Sequence, residues 1–242
     1  HQVDKVAWDS DLALWTVTFK GKIGERSAMT CHYIYSCTGY YRYDRGYTPN
    51  FPGVGDFKGQ VIHPQHWPEA LDYTGKRVVV IGSGATAITL VPSMAKTAGH
   101  VTMLQRSPTY VVSRPSIDSF AAKLESYLPH QLAYTLTRCK NVLSQMLLYR
   151  MSKRRPEYMK AQLIKWTKHW LGDNVDVSKH FTPTYNPWDQ RLCLVPDGDL
   201  FRSLRKGSSS VVTEHIKTFT EKGIELKSGE ILEADIIVTA TG

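Results

Sequence analysis

The sequence predicts an α/β chain in which a Rossmann-like dinucleotide-binding domain, itself carrying a helical insertion, is set into a second, incomplete α/β domain. Three observations predict it. Arg77-Val-Val-Val-Ile81 is a continuous β-branched run leading straight into Gly82-Ser83-Gly84-Ala85-Thr86-Ala87. A helical pattern over residues 85–97 and a second apolar run, His100–Leu104, complete one βαβ unit of about 30 residues. Two stretches of similar build, one near each end, both close on Thr-Gly, at Gly39 and Gly242.

The elements follow in chain order. Leu14–Phe19 alternates as a strand, a charged turn follows, and Tyr33–Gly39 reads as a buried strand. The run at 77–81 has the composition of a parallel strand covered on both faces. Residues 118–172 read as helices, because Leu132, Leu136, Leu143, Met146 and Leu147 recur at helical spacing with basic residues on the other side. Lys153-Arg154-Arg155 reads as a solvated surface, with docking on a membrane surface as the sharper alternative. From His215 to Leu226 strands flank Lys222-Gly223, a second hairpin turn stands at Lys227-Ser228-Gly229, and Asp235–Gly242 reads as another buried strand. The repeated order of hairpin, turn, apolar strand and Thr-Gly predicts that residues 1–39 and 239–242 belong to one domain and 40–238 to another inserted in it. With His1 in place of an initiating Met and Gly242 at a strand end, both termini are expected to be cuts in a longer protein.

Composition narrows the class. At 242 residues and 42% hydrophobic, the chain can bury a core. Cys31, Cys37, Cys139 and Cys193 are too scattered for a disulfide framework, and their spacings fit neither a CxxC redox pair nor a zinc knuckle. They read as ordinary thiols of a reducing, cytoplasmic compartment. No apolar run is long enough to span a membrane. The net charge of +8 suits polyanionic partners. No stripe of Lys and Arg interleaved with aromatics accompanies a nucleic-acid motif, so nucleic acid is not expected. His63 and His66 have no third ligand at a plausible spacing, so no metal is expected.

Gly82–Ala87 has the form GxGxxA directly after a strand and at the start of a helix, the context the dinucleotide fingerprint requires. Gly82 permits the tight turn, Ser83 and Gly84 bring backbone to the pyrophosphate, and Ala87 keeps the helix close to the sheet. Ala85, Thr86 and Ile88 complete the first helical turn, whose free N–H groups and positive dipole end suit phosphates. The bland alternative is a glycine-rich turn without a ligand. At the end of the second strand, where an acidic residue would hold the ribose of NAD, stands Gln105-Arg106-Ser107. A guanidinium suits a 2′-phosphate, which predicts NADPH; the alternative is that Arg106 is a solvated loop residue.

Upstream, Phe57-Lys-Gly59-Gln-Val-Ile-His63-Pro-Gln-His-Trp67-Pro68 has the form FxGxxxHxxxWP. It resembles the fingerprint of Baeyer–Villiger monooxygenases within the class B flavoprotein monooxygenases, and the resemblance covers the whole chain. It implies that the segment links two nucleotide-binding domains, with His63 and Trp67 helping to hold their geometry. The Thr-Gly ends match the family's two interdomain connections, where Ala-Thr-Gly is usual; Cys37 replaces Ala in the first copy. The surrounding domain would then bind FAD, whose own GxGxxG is absent from these residues. The chain alone would bind NADPH and turn over poorly or not at all.

The same resemblance identifies Pro187-Trp-Asp-Gln190-Arg191-Leu-Cys193 as the place of the family's active-site arginine, Arg191. A mycobacterial branch of the family shares this stretch. Many members carry Lys just before that arginine; Gln190 here would leave Arg106 to carry more of the 2′-phosphate recognition. The implied reaction is reduction of FAD by NADPH, addition of O2 to give a flavin C4a-peroxide, and attack of the anionic peroxide on a ketone, with rearrangement to an ester. Thioethers are alternative substrates. A fixed cation stabilises such anions. The plain alternative for Arg191 is a salt bridge with Asp189 or Asp197. An N- or S-oxygenating flavin monooxygenase and a non-catalytic NADPH-binding module are the competing functions. A flavin disulfide reductase would need a redox cysteine pair, which the spacings do not provide.

Overall fold

A computed structural model describes residues 1–39, 42 and 44–241 of the chain. It divides into two compact units, His1–Tyr43 and Asp44–Gly242.

The first unit is an antiparallel meander of β1 (Gln2–Asp9), β2 (Leu14–Lys20) and β3 (Arg26–Cys31). Trp8 faces Trp15 across the first pair, with ring centroids 5.2 Å apart, a cross-strand aromatic contact of the stabilising kind. The strand expected over Tyr33–Gly39 does not form. Tyr33 and Tyr35 are 76% and 79% exposed, and no described strand lies alongside the segment. A buried parallel strand is stabilised by neighbours on its edges and layers on its faces, and the described strands of this unit are all engaged in the meander.

The second unit begins with β4 (Gln60–Ile62), followed by β5 (Arg77–Ile81), α1 (Ala85–Met94) and β6 (His100–Gln105), the expected βαβ unit. After β7 (Tyr110–Arg114) come α2 (Ser119–Glu125), α3 (His130–Arg154), α4 (Pro156–Leu171) and α5 (Val177–His180). The chain continues through β8 (Leu192–Pro196), α6 (Asp199–Lys206) and β9 (Ser209–Thr213). A second meander, β10 (Ile216–Thr220), β11 (Gly223–Leu226) and β12 (Ile231–Glu233), precedes β13 (Ile236–Thr239). The strand expected over 235–242 is β13; Ala240 and Thr241 follow outside it. Tyr40 and Gly242, boundary positions in the sequence reading, lie outside the described residues.

The main sheet is parallel throughout, in the order β4-β13-β5-β6-β9. Its central residues are at most 6% exposed over Val78–Ile81 and Ile236–Val238, as β-branched runs covered on both faces should be. Alternation along the strands sends side chains to two layers. Val78, Val80 and Val238 pack with α1 and α6 through Ala87, Val91, Leu200 and Phe201. Val79, Ile81 and Ile237 pack with the second meander through Phe219, Ile224 and Leu226.

The helices expected within 118–172 are α2, α3 and α4. Asp118 caps α2 through Phe120 N and Ala121 N, and its other oxygen binds Lys140 Nζ at 2.7 Å. That bond above all holds the Asp118 carboxyl down at about 2. α4 buries Met159, Leu163, Thr167 and Leu171, one face at four-residue spacing, and Thr167 Oγ1 donates to Val111 O at 3.3 Å. α3 is 25 residues long and buries only Ala133 and Ser152. Its leucines at 132, 136, 143 and 147 are exposed.

Candidate functional site

A cleft of about 540 Å³ opens at the C-terminal ends of β5 and β6, the edge at which parallel α/β sheets bind nucleotides. Gly82, Ser83 and Gly84 line it. Gly82 has φ +131°, and a Cβ there would lie 2.5 Å from Ala240 O, so the turn presses on the residue after β13. Gly82 N donates to Leu104 O at 2.8 Å, extending the ladder to β6. Gly84 caps α1 in extended backbone. A Cβ on it would stand 2.7 Å from Arg191 Nη1, so the guanidinium occupies the space the missing side chain leaves. Ala87 and Ile88 are buried beneath α1, whereas Ala85 and Thr86 are exposed on its first turn.

Arg106 and Ser107 line the cleft at the end of β6. Gln105 has a different task. Its Nε2 donates to His180 O at 2.7 Å and to Thr213 Oγ1 at 2.8 Å, and Thr213 Oγ1 also bonds His180 Nδ1 at 2.7 Å. This half-buried network ties α5 to β9 and leaves Arg106 as the side chain past the strand end in the cleft. Burial, and secondarily Lys179, pulls the His180 imidazole below its usual value.

Arg191 also lines the cleft, with Tyr185 and Gln190 beside it. Tyr185 Oη donates to Arg191 O at 3.0 Å, and Tyr110 Oη donates to Tyr185 O at 2.7 Å. Burial pushes the Tyr110 phenol up to about 12, reinforced by Tyr185 and by the carboxylates of Glu157 and Asp189. Neither carboxylate suggested as a salt-bridge partner takes Arg191. Asp189 pairs with Lys153 at 2.6 Å, and Asp197 accepts from Ser116 N and Oγ. Cys193, just beyond, lies under the glycine turn with Sγ 3.9 Å from Ser83 O. Burial raises its thiol, and the charge of Arg191 opposes that.

The FxGxxxHxxxWP residues stand outside the cleft lining. Phe57 is buried in the meander-side core. A Cβ on Gly59 would lie 2.3 Å from Asp235 O. His63 accepts from Gln65 N at 3.1 Å through Nδ1, its ring packs over Gly46, and its buried Nε2 has no hydrogen-bond partner among the described residues. Trp67 packs at the helix-side core, edge-on to Tyr73. Among the described residues no group of three or more His, Cys, Asp or Glu could hold a metal ion. No helix among them is long and apolar enough to cross a membrane.

Tyr110, Tyr185, Glu214 and His215 belong to the site or its support and escape sequence reasoning. The tyrosines meet across 75 positions, and no local motif signals such a pair.

A parallel sheet with a glycine turn, a basic strand end and an arginine laid over the turn defines a dinucleotide-binding α/β protein. The chain belongs to the flavin-binding monooxygenase-like family, whose sequence model matches residues 1–242. It is 54% identical over 243 residues to the FAD-containing monooxygenase EthA of Mycobacterium tuberculosis, covering 100% of this chain and 50% of that protein. It is 53% identical over 243 residues to the probable FAD-binding monooxygenase AlmA of an Acinetobacter species, covering 100% of this chain and 49% of the other. The fold is similar to that of cyclohexanone monooxygenase with ε-caprolactone bound, at a TM-score of 0.70 and 20% identity, over 100% of this chain and 53% of that one. The chain thus spans about half the length of the curated relatives it matches.

Proposed function

We propose that this chain is the NADPH-binding and arginine-bearing part of a FAD-dependent monooxygenase of the Baeyer–Villiger type. Such an enzyme inserts one atom of O2 into a ketone, giving an ester or lactone. The observation that carries the reading is the guanidinium of Arg191 set against Gly84 in the dinucleotide cleft. A permanently charged fork there supplies a cation that needs no reorganisation when negative charge builds on oxygen. The names of the relatives support FAD. In the structural neighbour, the ketone of the enzyme's name and the bound lactone differ by one oxygen atom.

The cradle fits NADPH. Gly82, Ser83 and Gly84 line the cleft at the positive end of α1, where a pyrophosphate would meet the Arg191 guanidinium set against Gly84. Arg106 and Ser107 would hold the 2′-phosphate, with uncharged Gln190 adding little. FAD, when bound, supplies the redox and dioxygen chemistry; in this reading residues 1–39 and 239–242 are its side of the chain and 40–238 the NADPH side. Phe57, Gly59, His63 and Trp67 hold the link between them. A peripheral contact with an anionic membrane belongs to the same proposal. From Ser126 to Gly172 the only acidic residue is Glu157, and α3 exposes leucines among its basic side chains. Co-sedimentation with anionic but not neutral vesicles tests that point.

The central test is a titration of the chain with NADP⁺ and NAD⁺. NADP⁺ should bind at least about tenfold more tightly, since hydrogen bonds to a charged group are worth about 1.5–3 kcal/mol; equal affinities would remove the NADPH reading. Product analysis with a protein of the relatives' full length, offered a cyclic ketone and a thioether, then decides the reaction. A lactone supports the proposal, and sulfoxide as the sole product favours the S-oxygenating alternative.

A further inference from the structure

The loop that delivers Arg191, residues 185–191, has one short turn of its own, Asp189 N to Asn186 O at 3.1 Å. The rest of its support comes from side chains. Tyr110 Oη holds the carbonyl of Tyr185 at 2.7 Å, and the two rings meet edge-on at 5.3 Å. Tyr185 Oη, 3.3 Å from Thr109 Oγ1, reaches across the loop to the carbonyl of Arg191 at 3.0 Å. On the outer side, Lys153 Nζ of α3 binds Asp189 Oδ1 at 2.6 Å. One turn earlier on the same helix, Tyr149 packs edge-on against Trp188, centroids 6.1 Å apart. Trp188 itself has φ +70°, a conformation a bulky L-residue keeps only where its surroundings hold it.

We propose that the helical insertion is the mount of Arg191, with Tyr185 as the positioning residue on the inner side and Tyr149 and Lys153 of α3 on the outer. Tyr185 fixes the peptide from which the arginine side chain departs, and α3 fixes the two residues before Gln190. With both in place, the guanidinium lies over Gly84. With either released, the loop can swing while the sheet and fingerprint stay as they are. This assignment rests on the reading of the cleft as an NADP site.

A double-mutant cycle on the 242-residue chain tests it, with NADP⁺ affinity as the main readout and thermal unfolding measured alongside. Arg191→Ala should weaken NADP⁺ about tenfold, as expected for losing a charged hydrogen-bond partner. Tyr185→Phe should weaken it about threefold to fivefold with the melting temperature nearly unchanged. In the Arg191→Ala background Tyr185→Phe should add nothing, because a residue that acts through another is not additive with it. Lys153→Glu should weaken binding about twofold, and the exchange Lys153→Glu/Asp189→Lys should restore it; both changes are on the surface and leave the core intact. Additive effects of Tyr185→Phe and Arg191→Ala, or full affinity in Tyr185→Phe while Arg191→Ala is impaired, would overturn the proposal. Wild-type binding untouched by Arg191→Ala would overturn it alone, whereas no NADP⁺ binding by the wild type would overturn the reading of the cleft as well.

Discussion

Tyr33–Gly39 and Asp235–Gly242 are built from the same parts, an apolar run ending in Thr-Gly, and they meet different surroundings. The second becomes β13, flanked by β4 and β5 with two core layers on its faces, and Ile237 has no exposed surface. Its end is fastened as well. Thr239 Oγ1 donates to Ile62 O at 3.2 Å, and Thr241 Oγ1 to Tyr47 O at 3.1 Å. The first has no strand beside it among the described residues and leaves its tyrosines in water. β-branched and aromatic residues make a segment willing to be a strand; neighbours make it one. In the second copy the residues after the strand also serve the site, because Ala240 and Thr241 line the cleft and Ala240 O lies against Gly82.

The largest expected contrast is in stability. Ile237→Ala should cost about 2–5 kcal/mol, whereas Tyr35→Ala should fall within about 0.5 kcal/mol; urea unfolding of both variants measures it. A large cost at Tyr35 would mean that the first copy is packed like the second. Next, Gly82→Ala should destabilise by about 1–3 kcal/mol through its positive φ and impair NADP⁺ binding, since the methyl group meets Ala240 O just past β13. A stable variant with full affinity would separate the cleft from that strand end. Arg106→Ala, just past the end of β6, should lower the preference for NADP⁺ over NAD⁺ about tenfold and leave the melting temperature within a few degrees. Titration with both nucleotides reads it.

The smallest expected effect is a pH slope. The Tyr110 phenol is raised to about 12 in the folded chain from an ordinary 10. The unfolded chain therefore releases this proton first, and its contribution to stability is whole below pH 10 and declines as pH climbs toward 12. Unfolding at pH 9 and pH 11 should show a fall that is smaller in Tyr110→Phe. An identical fall in the variant would assign the slope to other groups.

Local chemistry was legible where it is contiguous. The run 77–81, the glycine fingerprint, Arg106 at the strand end and the helices of 118–172 each carry their signal within a few residues. The likeness around Pro187–Cys193 singled out Arg191, which lines the same cleft as Gly84 and Arg106. What escaped was set by partners distant in sequence. β1 and β3 carry too many charged and small residues to alternate cleanly, and the short pair β7–β8 joins segments separated by the whole insertion. The strand expected at 33–39 failed for want of an edge, and the support of Arg191 rests on tyrosines that no periodicity connects.

Cys193 turns the floor of the cleft into something that can be timed. Cys193 is 7% exposed with its thiol against Ser83 O, while Cys37 and Cys139 are open to solvent. A thiol reagent should therefore modify the chain in fast and slow phases, and the slow one counts how often the glycine turn lifts from β8. Since a buried thiol reacts only when uncovered, that phase is a built-in clock for breathing of the cleft floor. A bound dinucleotide should stop it.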